Sequence, residues 1–234
     1  MSTEVLLIPE KADTERTTVA AAWKAQGGWV QSIGKFWQKP AINTSQAYIY
    51  GNDTFALVLA QVLDKKLISP RDEAIADPSL LTWTKRQLSI ISSNKIVHLT
   101  FPCFVKPVQP KLFAAQVYPT LADLQRVLKG LDDTPLICSE VIKVEKEVRA
   151  FIINHTIADL AYYEGKGELV LPRAFILDFL QNTSIEIPIT FVVDIGYNTA
   201  MGWFILEFNA SWGAGLNYCD PTKILPCIKA ATVD

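Results

Sequence analysis

Two apolar runs near the C-terminus, each interrupted by acidic or amide side chains, constrain the fold more than any other part of the chain. They span residues 192–194 and 206–209, and a short polar segment joins them. Because side chains alternate between the two faces of a strand, Glu207 and Asn209 point to the same side. Asp194 lies on the neighbouring strand. The pattern predicts a β-hairpin with three oxygen-bearing side chains on one face of an apolar sheet.

Three polar side chains in such a sheet need a partner, because burying an unpaired carboxylate is costly. Carboxylate and amide oxygens are the ligands that Mg²⁺ prefers, and Mg²⁺ bound in this way also holds nucleotide phosphates. We therefore predict that Asp194, Glu207 and Asn209 bind Mg²⁺. Upstream, Lys106 ends an apolar run and precedes a proline. A lysine ahead of the carboxylate hairpin indicates a site for a complex of Mg²⁺ with a nucleotide.

Composition and charge argue against several other functions. The net charge of −2 and the pI of about 5.8 imply no basic surface for nucleic acid. The 4 cysteines show no C-x-x-C spacing, so we predict buried thiols rather than zinc ligands or disulfides. Neither of the 2 histidines has a serine, cysteine or metal-ligand neighbour in the sequence, which disfavours a hydrolase.

The sequence shows no pattern typical of secretion or membrane insertion. The first residues are polar and acidic, and the apolar stretch behind them, residues 5–8, is too short for a signal peptide. No run approaches the roughly 20 apolar residues of a membrane helix. We expect a cytoplasmic protein with no membrane and no nucleic-acid partner.

The first third of the chain alternates apolar strands with amphipathic helices. Strands are predicted at 5–9, 29–33 and 47–51, and helices at 12–26 and 55–65, the second capped by Asp53 or Thr54. This alternation predicts a small α/β unit with a mostly parallel sheet. The unit carries neither G-x-G-x-x-G nor a P-loop motif, so we do not expect it to bind a nucleotide in those ways.

From about residue 80 the pattern changes. We predict a helix over 80–91, strand-rich sequence over 96–105, a helix with a capping box at Thr120, and further strands that lead to the hairpin. No internal repeat is visible.

Between residues 96 and 216, the order of these features resembles the ATP-grasp family. A strand lysine of that family contacts the ATP phosphates, and Lys106 matches it. A D…E-x-N set of the family binds two Mg²⁺ ions, and Asp194, Glu207 and Asn209 match that set. The resemblance thus implies ATP and Mg²⁺ as the bound cofactors.

The resemblance also implies a nucleoside site. The segment Glu140-Val141-Ile142 resembles the family's hinge between two lobes, where backbone groups and a glutamate bind adenine. Glu147 stands where D-alanine–D-alanine-ligase-like members place the acid that holds the ribose hydroxyls.

The chain departs from the common pattern at the glycine-rich loop, which is replaced by residues 108–113. This departure resembles a divergent clade with two lysines on that strand pair and an arginine after the ribose-binding acid. It implies that Lys106, Lys111 and Arg149 neutralise phosphate oxygens. Lys85 is a candidate for a lysine that common members contribute from the preceding helix.

Some of these residues also have a purely structural explanation. A loop lysine such as Lys111 is often simply exposed, and Glu140 or Glu147 is explained equally well as a surface carboxylate. Arg149 is explained without a ligand if it pairs with a carboxylate.

The implied fold class is mixed, α/β and α+β, with two lobes that clasp ATP. The expected boundaries are 1–80 for a small α/β domain, and about 81–141 and 142–234 for the two lobes of the ATP-grasp domain. The implied activity is that of a carboxylate–amine ligase that forms an acylphosphate, with a small molecule, peptide or protein as substrate. An assembly factor of translation initiation belongs to the same clade, so ATP binding without ligation is the alternative.

Overall fold

The first sheet is parallel and lies between helices, as the alternation of its sequence predicts. The computed structural model describes residues 4–11, 13–44 and 46–234. The first elements are β1 (Val5–Pro9), α1 (Thr14–Ala25), β2 (Trp29–Ile33), β3 (Ala47–Ile49), α2 (Asp53–Leu63) and the short β4 (Lys66–Leu67). The strand order is β2-β1-β3, and both pairings are parallel.

Side-chain caps set where both helices begin. The Asp13 carboxylate accepts a hydrogen bond from the Arg16 N–H at 3.0 Å, and Asn52 accepts one from the Phe55 N–H at 3.1 Å. The prediction that Asp53 or Thr54 caps α2 is therefore wrong by one or two positions. The predicted first residue of α1, Ala12, lies outside the described residues.

The first lobe is built on an antiparallel sheet with the strand order β5-β8-β6-β7. Its elements are α3 (Leu81–Thr84), β5 (Leu88–Ser92), β6 (Cys103–Pro107), β7 (Gln116–Tyr118), α4 (Leu121–Leu128) and β8 (Pro135–Ser139). The Thr120 hydroxyl caps α4, as the sequence predicts.

Two predictions for this lobe are wrong. The helix predicted over 80–91 ends after one turn, because Lys85 takes a left-handed conformation and β5 pairs with β8 along its whole length. The strand predicted over 96–105 starts only at Cys103, because Ser92 caps a 3-10 helix at Ser93–His98.

The second lobe contains the predicted hairpin. Its elements are β9 (Lys146–Ile153), β10 (Thr156–Glu164), α5 (Val170–Asn182), β11 (Thr190–Asn198) and β12 (Gly202–Asn209). The strands form an antiparallel sheet with the order β10-β9-β11-β12. The extended segment 140–145 connects β8 of the first lobe to β9 of the second.

The end of the chain returns to its beginning. Helix α6 (Pro221–Ala230) packs on α1, and β13 (Thr232–Val233) pairs with β4. One apolar core contains Leu6 and Trp23 of the first unit together with Phe151 of the second lobe and Ile228 of α6. The first unit and the second lobe are therefore joined by a continuous core. Among the described residues, no helix is long and apolar enough to cross a membrane.

Candidate functional site

Three charged side chains lie next to one another on one face of the second-lobe sheet. Arg149 on β9 is in register with Asp194 on β11, and Asp194 is in register with Glu207 on β12. Asn209 follows two positions later on β12. The alternation of the strands therefore brings together the three side chains predicted as Mg²⁺ ligands, with an arginine beside them.

Hydrogen bonds connect all four side chains. The Arg149 guanidinium donates from Nε to Asp194 Oδ1 at 2.8 Å and from Nη2 to Oδ2 at 2.6 Å. The Asn209 amide donates to Asp194 Oδ2 at 3.1 Å and to Glu207 Oε1 at 3.0 Å. Arg149 therefore pairs with a carboxylate, as its purely structural explanation requires. That carboxylate belongs to Asp194, which is itself a predicted metal ligand.

The charges of this group favour a cation. One guanidinium faces two carboxylates, so the group is negative when both are ionised. Burial raises the pKa of Asp194 to about 6, although the hydrogen bond and charge of Arg149 oppose the shift, and Glu207 adds to it. A divalent cation would remove the excess negative charge.

The donor set fits a hard cation. Among residues 4–11, 13–44 and 46–234, no three His, Cys, Asp or Glu side chains are grouped to hold a metal. The set at β11 and β12 instead combines two carboxylates with an amide, and oxygen donors of this kind suit Mg²⁺ rather than zinc. Asn209 would bind the ion through Oδ1 after its amide turns, because Nδ2 faces both carboxylates in this structure.

Two β-bulges turn additional side chains toward this face. On β12 the register passes from Asp194–Glu207 to Ile195–Ile205, which leaves Leu206 as the extra residue. On β10 the register passes from Tyr162 to Glu164, which leaves Tyr163 as the extra residue. Bulges are frequent beside active sites because they re-aim side chains. The sequence carries no signal for either one, so both residues escaped prediction.

A cleft of about 200 Å³ lies between the two lobes. The first lobe contributes Phe104, Val117 and Ser139, and the second contributes Glu147, Tyr163, Leu206 and Glu207, while the connecting segment supplies Glu140, Val141, Ile142 and Val144. The walls are mostly apolar with a few polar and charged side chains among them, as in many small-molecule sites. The structure therefore places the predicted adenine and ribose residues in the same cleft as Glu207.

Glu147 and Tyr163 form a polar contact in this cleft. The Tyr163 hydroxyl donates a hydrogen bond to the Glu147 carboxylate. Burial raises the pKa of Glu147, the hydrogen bond from Tyr163 opposes the shift, and Glu164 and Glu207 add to it. The Arg149 guanidinium also lies 5.8 Å from the centre of the Tyr163 ring. Tyr163 thus links the candidate ribose site to the charged group.

The predicted lysines occupy different environments. Lys106 is half-buried on β6 and shares a face with Phe104, which lines the cleft. Lys111 lies in the loop after β6, where its Nζ is 2.8 Å from Asp53 Oδ2 of α2 and its side chain is 63% exposed. Lys85 is exposed, whereas the neighbouring Arg86 is buried and lines the cleft.

A second cavity, of about 140 Å³, lies beside the charged group. Its walls are the first turns of α1 and α2 and the loop after β12, including Glu15, Arg16 and Gly215. Arg149 Nη1 donates to the Gly215 carbonyl at 2.9 Å, and Glu15 accepts from the Asn217 N–H at 2.9 Å. A Cβ at position 215 would lie 2.3 Å from Glu15 Oε2, so a larger residue there would displace the Glu15 carboxylate from this wall. The cavity and the charged group therefore share a wall.

A family model matches this chain over residues 83–227, and it describes an ATP-grasp domain of the R-two-K clade, family 2. The match includes every predicted site residue and leaves out the first sheet. No curated protein sequence matches the chain.

Solved structures with the same fold cover nearly the whole chain. D-cycloserine synthetase DcsG is 10% identical, with a TM-score of 0.63 over 96% of this chain and 98% of its own. The RimK domain protein from Sphaerobacter thermophilus DSM 20745 is 12% identical, with a TM-score of 0.58 over 97% and 96%. D-alanine–D-alanine ligase from Bacillus anthracis, complexed with ATP, is 10% identical, with a TM-score of 0.53 over 99% and 97%. At such identities the similarity concerns the fold alone.

Proposed function

The chain belongs to the R-two-K clade of the ATP-grasp ligases and has the ATP-grasp fold, and on this premise we propose that it joins a carboxylate to an amine at the expense of ATP. The observation that carries the proposal is the hydrogen-bonded group of Arg149, Asp194, Glu207 and Asn209 at the cleft between the lobes. A purely structural group would not need a surplus carboxylate beside a cleft.

The nucleoside would lie in the cleft of about 200 Å³. The adenine ring would pack between Phe104 and Leu206, with its polar edge at the segment Glu140–Ile142. The Glu147 carboxylate would accept hydrogen bonds from the ribose hydroxyls. The features that support this placement are the apolar walls and the Glu147 carboxylate that lines the same cleft.

The triphosphate would extend toward the charged group. Asp194, Glu207 and Asn209 would hold Mg²⁺, which supplies positive charge to the phosphate oxygens when it is bound. Lys106 would reach the phosphates from the first lobe, and Arg149 from the second. Lys111 would take part only after leaving Asp53, and an exposed ion pair of this kind is weak.

The reaction then proceeds by two transfers. A carboxylate oxygen of the substrate attacks the γ-phosphorus of ATP, the bond to the β-phosphate oxygen breaks, and ADP leaves with an acylphosphate formed. An amine attacks the acyl carbon, inorganic phosphate leaves, and the amine proton passes to solvent or a nearby base. The positive side chains stabilise the charge that moves onto the phosphate oxygens.

We place the acceptor in the second cavity, between Glu15, Arg16 and the loop at Gly213–Gly215. This cavity combines carboxylates with an arginine, which suits a small group that carries both charges. The carboxylate and the amine would come from a small molecule, a peptide or a protein. We also propose the boundaries 1–80, 81–141 and 142–234 for the three units, together with a cytoplasmic location.

The test is to trap the acylphosphate with hydroxylamine while ADP is measured, with amino acids, peptides and proteins supplied as carboxylates. We expect a hydroxamate and ADP with at least one acceptor class. We also expect the rate to fall by roughly 10²-fold in Lys106→Ala, because the variant loses the positive charge that stabilises the phosphoryl group during transfer. Lys143→Ala, on an exposed side chain, is the matched control. ATP binding with neither product for any acceptor would contradict the ligase and favour the assembly factor.

A further inference from the structure

Arg86 is a buried cation whose hydrogen bonds reach the strand that carries the metal ligands. Its side chain is 5% exposed, although it follows the short helix α3 in the first lobe. Nη1 donates to the carbonyl of Ile205 at 3.0 Å and to that of Thr84 at 3.2 Å, and Nη2 donates to the carbonyl of Leu206 at 3.3 Å. Within the described ranges, these acceptors are all backbone carbonyls.

The environment of Arg86 is unfavourable for a charge. Burial lowers the pKa of Arg86 to about 10, and the more distant Glu140 only partly offsets the effect. A buried guanidinium without a paired carboxylate costs free energy. An apolar residue would fill the same space at a lower cost in free energy. We therefore infer that the arginine has a role that an apolar side chain could not have.

The two distant acceptors belong to the bulge of β12. In a regular strand, Leu206 and Glu207 would point to opposite faces of the sheet. The bulge leaves Leu206 unpaired, and both side chains then line the cleft. The bulge therefore lets one strand supply an apolar wall and a carboxylate at consecutive positions.

We propose that Arg86 is a positioning residue, whose planar guanidinium fixes the carbonyls of the bulge so that Leu206 and Glu207 face the nucleotide together. The effect of Arg86 on Mg²⁺ and ATP rests on the proposed function. The hydrogen bonds of Arg86 to the Ile205 and Leu206 carbonyls, here called the clamp, are a property of the free protein. The planar guanidinium can donate hydrogen bonds to two adjacent carbonyls at once, whereas the lysine ammonium is a compact charge that does not match this geometry.

Two variants separate this role from a direct contact between Arg86 and phosphate. Arg86→Met removes the charge and the donors, and Arg86→Lys retains the charge but loses the fork. If Arg86 acts through the bulge, both variants should lower the factor by which Mg²⁺ tightens ATP binding by about tenfold. The control variant Lys95→Met, at an exposed side chain on the 3-10 helix Ser93–His98, should leave that factor unchanged. Calorimetry with ATP, in the presence and absence of Mg²⁺, measures it.

A second measurement does not depend on ATP. Amide hydrogen exchange in the free protein should accelerate at residues 205–207 in both variants, while exchange in β9 stays as in the wild type. If Arg86→Met does not fold, Arg86→Lys carries both tests.

The outcomes are distinct. Faster exchange at the bulge without any ATP binding in the wild type would support the clamp and overturn the proposed function. Unchanged exchange, or full ATP affinity in Arg86→Lys with loss only in Arg86→Met, would overturn the clamp and favour a direct charge contact.

Discussion

Among single residues, the buried ion pair of Arg149 and Asp194 connects the candidate metal site to the stability of the fold. A buried ion pair adds little net stability, because desolvation offsets the attraction, but removal of one partner leaves an uncompensated charge. The pair is buried on both sides, with its atoms at 2.6 Å. Arg149 should therefore affect folding as well as any reaction.

We expect Arg149→Met to lower the free energy of unfolding by about 3–5 kcal/mol, because Asp194 would lose its counter-ion. Urea denaturation in the absence of Mg²⁺ measures the loss. Lys143→Met serves as the control, since Lys143 is 82% exposed and its ion pair with Glu145 spans 3.7 Å. Losses of equal size in the two variants would contradict the role assigned to the buried pair.

The shifted pKa of Glu147 predicts a pH dependence. Because the folded-state pKa is raised above the ordinary value of 4.5, the protonated group favours the folded state below that value, and the benefit is lost as the pH rises through the folded pKa. ATP binding should show the opposite trend, because the ribose hydroxyls need the ionised carboxylate as acceptor.

When the solution is acidified from neutral pH, the affinity for ATP should therefore start to fall while the pH is still above 4.5, because Glu147 with its raised pKa is protonated earlier than an ordinary glutamate. Calorimetry over a pH series measures this trend in the wild type and in Glu147→Gln, which lacks the titrating group. If the two proteins show the same pH profile, Glu147 is not the group responsible.

At the scale of elements, strand alternation was enough to predict the face of the hairpin but not its irregularities. Asp194, Glu207 and Asn209 lie together because successive side chains alternate, which a sequence shows directly. Leu206 and Tyr163 depend on bulges, and one extra residue in a strand leaves no trace in composition. Long-range pairing likewise overrode the local helical pattern at 80–91, where β5 pairs with β8.

The loop after β6 is held to α2 by the ion pair of Lys111 and Asp53. The pair is largely exposed, so Asp53→Asn should change the free energy of unfolding by less than about 1 kcal/mol. If Lys111 moves to the phosphates, Asp53→Asn should leave ATP affinity intact or raise it, whereas Lys111→Met should lower it. Thermal unfolding and calorimetry measure the two effects. If Asp53→Asn alone lowers ATP affinity, the protein binds ATP with the loop after β6 still paired to α2, which would contradict the movement of Lys111.

At the scale of the whole molecule, the two ends of the chain are packed into one core. Ile228 of α6 is fully buried against residues of the first unit and of the second lobe. The sequence predicted the first unit from its alternation, but not that α6 and β13 of the second lobe would pack against it, because contacts between distant segments have no local pattern.

We expect Ile228→Ala to cost about 2–5 kcal/mol and to destabilise the first unit and the second lobe together. Intrinsic fluorescence, to which all 6 tryptophans contribute, and far-ultraviolet circular dichroism should report coincident unfolding transitions. Val127→Ala, at a side chain that is 37% exposed on α4, should cost much less. Separate transitions, with only one of them shifted by Ile228→Ala, would show that the shared core does not couple the two parts.

Above all, we propose that Asp194, Glu207 and Asn209 hold Mg²⁺ against the phosphates of ATP. Titration calorimetry of ATP in the presence and absence of Mg²⁺ tests it most directly, in the wild type, in Glu207→Gln and in the exposed control Lys143→Ala. We expect Mg²⁺ to tighten ATP binding in the wild type and the control, and Glu207→Gln to lose most of this gain because phosphate charge is left uncompensated. Equal ATP affinity with and without Mg²⁺ in all three proteins would contradict it.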